Sequence, residues 1–340
     1  MLAKPDLPDQ FIIDGVQAAY GQQVARVTFL PIGYDVNTAV YRLLAEDGGD
    51  YFLKLRKGDF NEIAVALPHF LRTQGIQAII APLKTRRGLL WGSLDGYKMI
   101  LYPFIPGRDG YAAALSDQQW IDFGAAVKRV HSAQIPPALT SLIAQENYSP
   151  QWREMVSSFQ AQVETTDFDD PTAAKLAAFM NTKRAAISHL VARADQLGLA
   201  LQTRRLDFVL CHSDLHPGNL LIGNHEKLYI VDWDNPSFAP KERDLMFVGA
   251  GMGSEGPFEL EEALFYQGYG GDPGYAQTGV DRMALAYYRC ERIVQDIAAF
   301  CEQLLLTAEG GADREQAYQY FAGQFLPDHE VDIALRTGSA

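Results

Sequence analysis

Positive charge is in short supply in this sequence: 29 Lys and Arg stand against 42 Asp and Glu, a formal net charge of −13 at pH 7. A general nucleic-acid binder needs a basic face to neutralise phosphates, so that class is excluded. Cysteine is scarce too, with three in 340 residues, at 211, 290 and 301. Cys290 and Cys301 fall on what reads as one helix, roughly 16 Å apart along its axis, too far for a disulfide. An odd, sparse count fits a reducing compartment, and a cytoplasmic location is expected. No run of about 18 apolar residues occurs, which excludes a spanning helix. The opening MLAKPDLPDQ lacks the apolar core of a signal peptide. There is no internal repeat and no low-complexity tract.

What is present is an ordinary globular composition, 48% apolar and 21% charged. At about 150 residues per domain this length suggests two domains or lobes, enough chain to bury a core without disulfide or metal staples. Charge is unevenly placed. Residues 1–105 hold 11 basic and 10 acidic side chains, and residues 106–340 hold 18 and 32. A solubilising surface accounts for the second count, and a cationic ligand is the functional alternative.

Along the chain, 11–20 reads as a short helix, and 24–31, 39–45 and 51–56 read as strands. Asp47-Gly48-Gly49-Asp50 reads as a hairpin turn. A helix of about 59–74 follows, interrupted by Pro68, and then strand-like runs at 78–84 and 97–103. After YPFIPG (102–107) the texture becomes long amphipathic helices. Ser116 and Gln119 open one as a capping box, and others cover roughly 151–163, 172–198, 258–269 and 281–306. A β-rich island, 207–233, lies among them. The expected division is 1–103, a hinge at 104–110, and 111–340.

The island carries the chemistry. In VLCHSDLHPGNLLIGN (209–224), His212, Asp214 and Asn219 fit H-x-D-x-x-x-x-N, and Asp232 ends the apolar strand LYIVD. Phosphoryl transfer needs a carboxylate to accept the proton of an attacking hydroxyl, and oxygen ligands to hold Mg²⁺ on the nucleotide phosphates. Turn chemistry would explain a bare D-x-x-x-x-N; the histidine two residues before and the second aspartate at a strand end favour the functional pattern. A zinc pair from His212 and His216 would need a helix, which Pro217-Gly218 forbids; His212 is expected to brace the loop instead. Lys54, mid-strand in YFLKLR, is the expected cation for the α/β phosphates, with Glu62 the nearest candidate to pair with it. The turn 31–39 contains Gly33 but no G-x-G-x-x-G, so it is only a weak candidate for covering phosphates. Tyr102, Phe104 and Ile105 could offer backbone groups and apolar faces to an adenine.

With these residues in place, the chain resembles the aminoglycoside phosphotransferase family. HSDLHPGN, Asp232 and Lys54 carry the resemblance. YFLKL, YPFI, YSPQWRE, IVDWDNP, APKERDLMFVG and YYRCERIVQDI extend it toward the branch that phosphorylates spectinomycin. The resemblance implies an α+β, bilobal protein-kinase-like fold. Its small N-terminal lobe would be a five-stranded antiparallel sheet plus helix, and its large helical C-terminal lobe would carry the β-rich catalytic insert. It further implies ATP, Mg²⁺ and transfer of the γ-phosphoryl group to a hydroxyl, expected to be the 9-hydroxyl, of a small cationic aminocyclitol. In those terms Asp214 is the base, Asn219 and Asp232 are metal ligands, and Lys54 binds phosphate. Ala239-Pro240-Lys241-Glu242 lies too close behind Asp232 for an activation segment, so a protein substrate and an obligate protein partner are not expected. A kinase for choline, a sugar or homoserine is the alternative within the same chemistry. A catalytically dead nucleotide-binding regulator is the alternative from another class.

Acceptor recognition would fall to Glu291 or Asp296, on the face of 281–306 away from the apolar stripe Cys290, Ile293, Val294, Ile297, Cys301 and Leu304, and to Asp234. The plainer account of that face is an exposed Arg292–Asp296 i, i+4 pair. Arg243 and Asp244 are expected to support the catalytic loop from behind. No nucleophile elbow is present, so no covalent phosphoenzyme is expected.

Overall fold

Alternation of apolar and polar residues builds the first sheet. In strands β1 (Val24–Leu30), β2 (Thr38–Ala45) and β3 (Asp50–Lys57), Tyr41, Leu43, Leu53 and Leu55 point to one face and are wholly buried. The period of two then puts Lys54 and Arg56 together on the opposite face. Helix α1 (Asp9–Tyr20) covers the apolar face with Ile12, Val16 and Tyr20. The β2–β3 hairpin turns at Asp47, whose carboxylate accepts the Gly49 N–H at 2.9 Å, with Gly48 at φ 86°. The computed structural model describes residues 4–33, 37–249, 258–270, 279–307 and 312–338.

The sheet has five antiparallel strands in the order β1-β2-β3-β5-β4, with β4 at Gly92–Leu94 and β5 at Tyr97–Pro103. The fold class is the expected α+β protein-kinase-like one, but the fourth strand is not 78–84. That segment makes a single bridge, Ile79 to Ile230, and one bond from the Leu83 N–H to the Leu101 carbonyl. Pro82 lacks the donor that a paired strand needs there. Helix α2 (Ile63–Thr73) keeps Pro68 inside and begins four residues later than its apolar pattern suggests.

The described residues divide into two compact units. Unit one holds residues 1–144 and 217–236, and unit two holds 145–216 and 237–340. The division therefore does not fall at 104–110. Strand β6 (Gly107–Asp109) pairs antiparallel with Leu220–Gly223, which pairs with Leu228–Ile230, so these segments stay with the first unit. Only glycine fits at 107: a Cβ there would lie 2.4 Å from the Ile222 carbonyl oxygen. The capping box holds as expected at helix α3 (Asp117–His131), where Ser116 and Gln119 exchange side-chain to backbone bonds.

Unit two is built round helix Arg282–Leu305. The stripe Cys290, Ile293, Val294, Ile297, Cys301 and Leu304 is at most 1% exposed and packs with Met180, Leu190 and Phe321 in one core. The stretch expected as one helix over 172–198 is two, Pro171–Thr182 and Arg184–Gln202. They break at Lys183, whose ψ of 9° leaves the helical range. A straight helix over that span would run about 48 Å; the break returns both halves to helix Gln151–Thr165. Strand Phe208–Cys211 pairs antiparallel with Ser237–Pro240 and leads directly to His212.

Candidate functional site

In unit one the chemistry gathers on the polar face of β3. The Lys54 ammonium lies 2.9 and 3.0 Å from the two Asp234 carboxylate oxygens and 3.4 Å from Asp232 Oδ1. Arg56, two residues along the same face, donates to Asp234 Oδ2 at 2.7 Å. Lys54 is 16% exposed and Asp234 24%. Burial of the lysine favours its neutral form, but the two aspartates outweigh it and raise its pKa. Lys54 is thus held charged. Arg56 had no signal of its own in the sequence beyond its place two residues after Lys54.

Asp232 follows strand Leu228–Ile230 with a φ of 63°, a conformation that costs a non-glycine residue energy. Its side chain is half exposed. Asn219 closes a short 3₁₀ turn, Pro217–Asn219, is 7% exposed, and accepts the Val231 N–H on its backbone carbonyl. An amide oxygen and a carboxylate are hard donors that suit Mg²⁺. Trp233 is buried and anchors the segment through Nε1 to the Ile230 carbonyl at 3.2 Å.

Several expected neighbours are placed elsewhere. Glu62 is exposed at the start of α2, and the carboxylates on Lys54 are those of Asp234 and Asp232. Phe104 gives its N–H to the Asp50 carbonyl at 2.9 Å and its ring to the Arg42 guanidinium at 4.3 Å, so that backbone donor is not open to an adenine. Tyr102 is the penultimate residue of β5, and burial, with Asp234 and Asp232 nearby, raises its hydroxyl pKa. Ile105 packs against Gly223. Gly33 has φ 95° and lies at the edge of the 31–39 turn, whose residues 34–36 fall outside the described residues.

In unit two, Asp214 sits on a loop fixed from several sides. Asp244, 1% exposed, accepts the N–H groups of His212 at 2.9 Å and Ser213 at 2.7 Å, and these bonds hold Ser213 at φ 76°. His212 is buried, and its Nδ1 accepts the Asp214 N–H at 3.3 Å. Arg243 places its guanidinium 5.6 Å from the Tyr288 ring. Asp214 Oδ1 receives the Arg292 guanidinium, and Oδ2 lies 3.5 Å from His216 Nε2. Burial opposes ionisation of Asp214, but the His216 and Arg292 contacts prevail and hold its carboxyl well below the usual range.

The three acids considered for the acceptor each have a protein partner. Glu291 is 3% exposed and is bonded to Arg153 at 2.5 Å, inside unit two. Arg153 also donates to the Tyr148 carbonyl at 3.1 Å. A polar residue next to an apolar stripe looks solvent-facing in sequence; here a buried arginine 138 residues away turns that position inward. Asp296 accepts from Arg292 at 3.0 Å, the i, i+4 pair. Asp234 is taken by Lys54 and Arg56 rather than left for a substrate ammonium. Among the described residues, no helix is long and apolar enough to cross a membrane.

The phosphotransferase enzyme family APH matches residues 28–280. The chain belongs to that family. It is an enzyme, an O-phosphotransferase. A solved structure of spectinomycin phosphotransferase in complex with ADP and spectinomycin is 37% identical to this family member, with a TM-score of 0.89 over 98% of this chain and 99% of that one. A second structure, the AMP-bound complex of spectinomycin phosphotransferase, is also 37% identical, with a TM-score of 0.85 over 97% and 98%. An amicoumacin kinase in complex with AMP-PNP and Ca²⁺ shares the fold at 18% identity, TM-score 0.62, over 96% and 94%. The comparison with curated proteins returned no match.

Proposed function

We propose that this phosphotransferase moves the γ-phosphoryl group of ATP to a hydroxyl of spectinomycin. The observation that carries the proposal is the 37% identity, across 98% of the chain, to a structure whose bound molecules are ADP and spectinomycin. In the proposed reaction the acceptor oxygen bonds to the γ-phosphorus as the bond from that phosphorus to the β-bridging oxygen breaks, and ADP leaves. Asp214 accepts the hydroxyl proton and releases it to solvent. Lys54, kept charged by its aspartates, and Arg56 beside it supply cations for the phosphates. Asn219 and Asp232 would hold Mg²⁺, which when bound neutralises charge on the phosphates. Little covalent work falls to the protein; positioning and charge do most of it.

Incubating the protein with MgATP and spectinomycin, then weighing the drug by mass spectrometry, tests the proposal. One added phosphoryl group is expected, and none with Asp214→Asn. Unmodified spectinomycin beside phosphorylated choline, sugar or homoserine would move the assignment to a metabolite kinase.

A further inference from the structure

Arg292 lies 78 residues from Asp214 in sequence, yet its guanidinium reaches the carboxylate. Its Nε–H donates to Asp296 Oδ1 at 3.0 Å while Nη1 donates to Asp214 Oδ1, and its charge lies 5.4 Å from the Phe247 ring. Asp296 is itself steadied by the Gln324 amide at 3.3 Å. Asp214 is thereby held at two points, its N–H by His212 and Oδ1 by Arg292, with His216 Nε2 3.5 Å from Oδ2.

We propose that Arg292 is a positioning residue for phosphoryl transfer, fixing the plane of the Asp214 carboxylate so that the acceptor hydroxyl is taken at Oδ2, beside His216. The inference rests on Asp214 as the base. A carboxylate on a loop has free rotation about its Cβ–Cγ bond, and a planar guanidinium anchored at its far side removes that freedom. Lysine, a compact ammonium, cannot bridge Asp214 and Asp296 with the same rigidity. The charged and titratable groups facing Asp214 are Arg292 and the His216 imidazole, with Asp296 behind Arg292 and Asp244 beneath the loop backbone. Replacing Arg292 therefore also removes a cation that favours the ionised base.

The test is steady-state kinetics with MgATP and spectinomycin on the full chain, with ADP affinity and melting temperature measured in parallel. Arg292→Ala is expected to lower kcat by about 10²-fold, the cost of a misplaced reacting group, while ADP affinity and melting temperature hold. Arg292→Lys should recover part of that loss. The acid limb of kcat/KM should move to higher pH in Arg292→Ala. Wild-type turnover in Arg292→Ala overturns the inference, as does a loss of turnover matched by falls in melting temperature and ADP affinity. Asp214→Asn separates the two layers. Full activity in that variant removes the base assignment and this inference together; inactive Asp214→Asn beside fully active Arg292→Ala removes this inference alone.

Discussion

Two charged clusters, one in each unit, are arranged in opposite senses. Around Lys54 two cations converge on one carboxylate, Asp234, with Asp232 contributing at 3.4 Å. Around Asp214 one arginine spans two carboxylates, Asp214 and Asp296. The first arrangement would leave cationic charge in reserve with Asp232 on a metal, as proposed, which suits a polyanion such as a nucleotide. The second leaves anionic charge in reserve, which suits a hydroxyl-bearing acceptor that is neutral or cationic. The uneven charge of the sequence, near zero before residue 106 and strongly acidic after it, reflects the same contrast. Such fields reach only about 8 Å at physiological salt, so local pairing decides what each site accepts.

The contrast holds only if the third set of charges, Arg153 and Glu291, belongs to the fold and not to a site. Both are at most 5% exposed. Burial raises the pKa of the Glu291 carboxyl despite Arg153 beside it. Removing Glu291 leaves the buried Arg153 only the half-exposed Asp195 carboxylate, 3.4 Å from its Nε, and breaking a buried pair costs about 3–5 kcal/mol. Glu291→Ala should therefore produce the largest effect of all, a fall in unfolding free energy of that size in urea. The KM for spectinomycin of the fraction still folded should stay at its wild-type value. A stable Glu291→Ala with a raised spectinomycin KM would instead return Glu291 to the acceptor site.

Next in size is Lys54→Ala. Losing a preorganised cation aimed at developing charge typically lowers turnover by about 10²- to 10³-fold. The expected result is a drop of that order in kcat/KM for ATP, with spectinomycin binding by calorimetry unchanged. An equal loss of spectinomycin binding would mean that the two clusters do not divide the substrates between them.

Much of this was legible beforehand, because the informative patterns were local. H-x-D-x-x-x-x-N, the Ser116–Gln119 box and the apolar stripe from Cys290 to Leu304 each depend on spacing within one element. What was not legible depended on pairing across long stretches of chain. The 78–84 run has strand-like composition, but no neighbour can use its proline. Glu291 and Arg292 stand side by side on one helix, yet the first turns to Arg153 and the second to Asp214. Nothing local distinguishes them, since each has a polar environment in a helical repeat and its partner lies 138 or 78 residues away. Asp234 was placed near the chemistry by its position after Asp232, but its partners follow from β3 presenting Lys54 and Arg56 on one face.

Asp234→Asn sharpens the contrast further. The substitution keeps the shape but removes the charge that binds both cations, so Lys54 loses its orientation rather than its presence. A rise of about tenfold in KM for ATP is expected, in line with the 1.5–3 kcal/mol of a charged hydrogen bond partly replaced by a neutral one. Rescue of that rise by high Mg²⁺ would show Asp234 acting through the metal instead.

The smallest effect should come from Asp296→Asn. Arg292 keeps its bond to Asp214 and its place near Phe247, and the amide oxygen can still accept from Nε. Only the charge at the far end of the bridge is lost, and an i, i+4 pair at a partly exposed site contributes about 0.5 kcal/mol. Turnover should fall by about twofold, the equivalent of that energy. Removing the second anion should also strengthen the hold of Arg292 on Asp214, lowering the carboxyl further. The acid limb of kcat/KM should then move, if at all, to lower pH, opposite to Arg292→Ala. A shift upward in both variants would mean that Asp296, not Arg292, sets the protonation of the base, and the one-cation bridge would have to be redrawn with Asp296 as its working end.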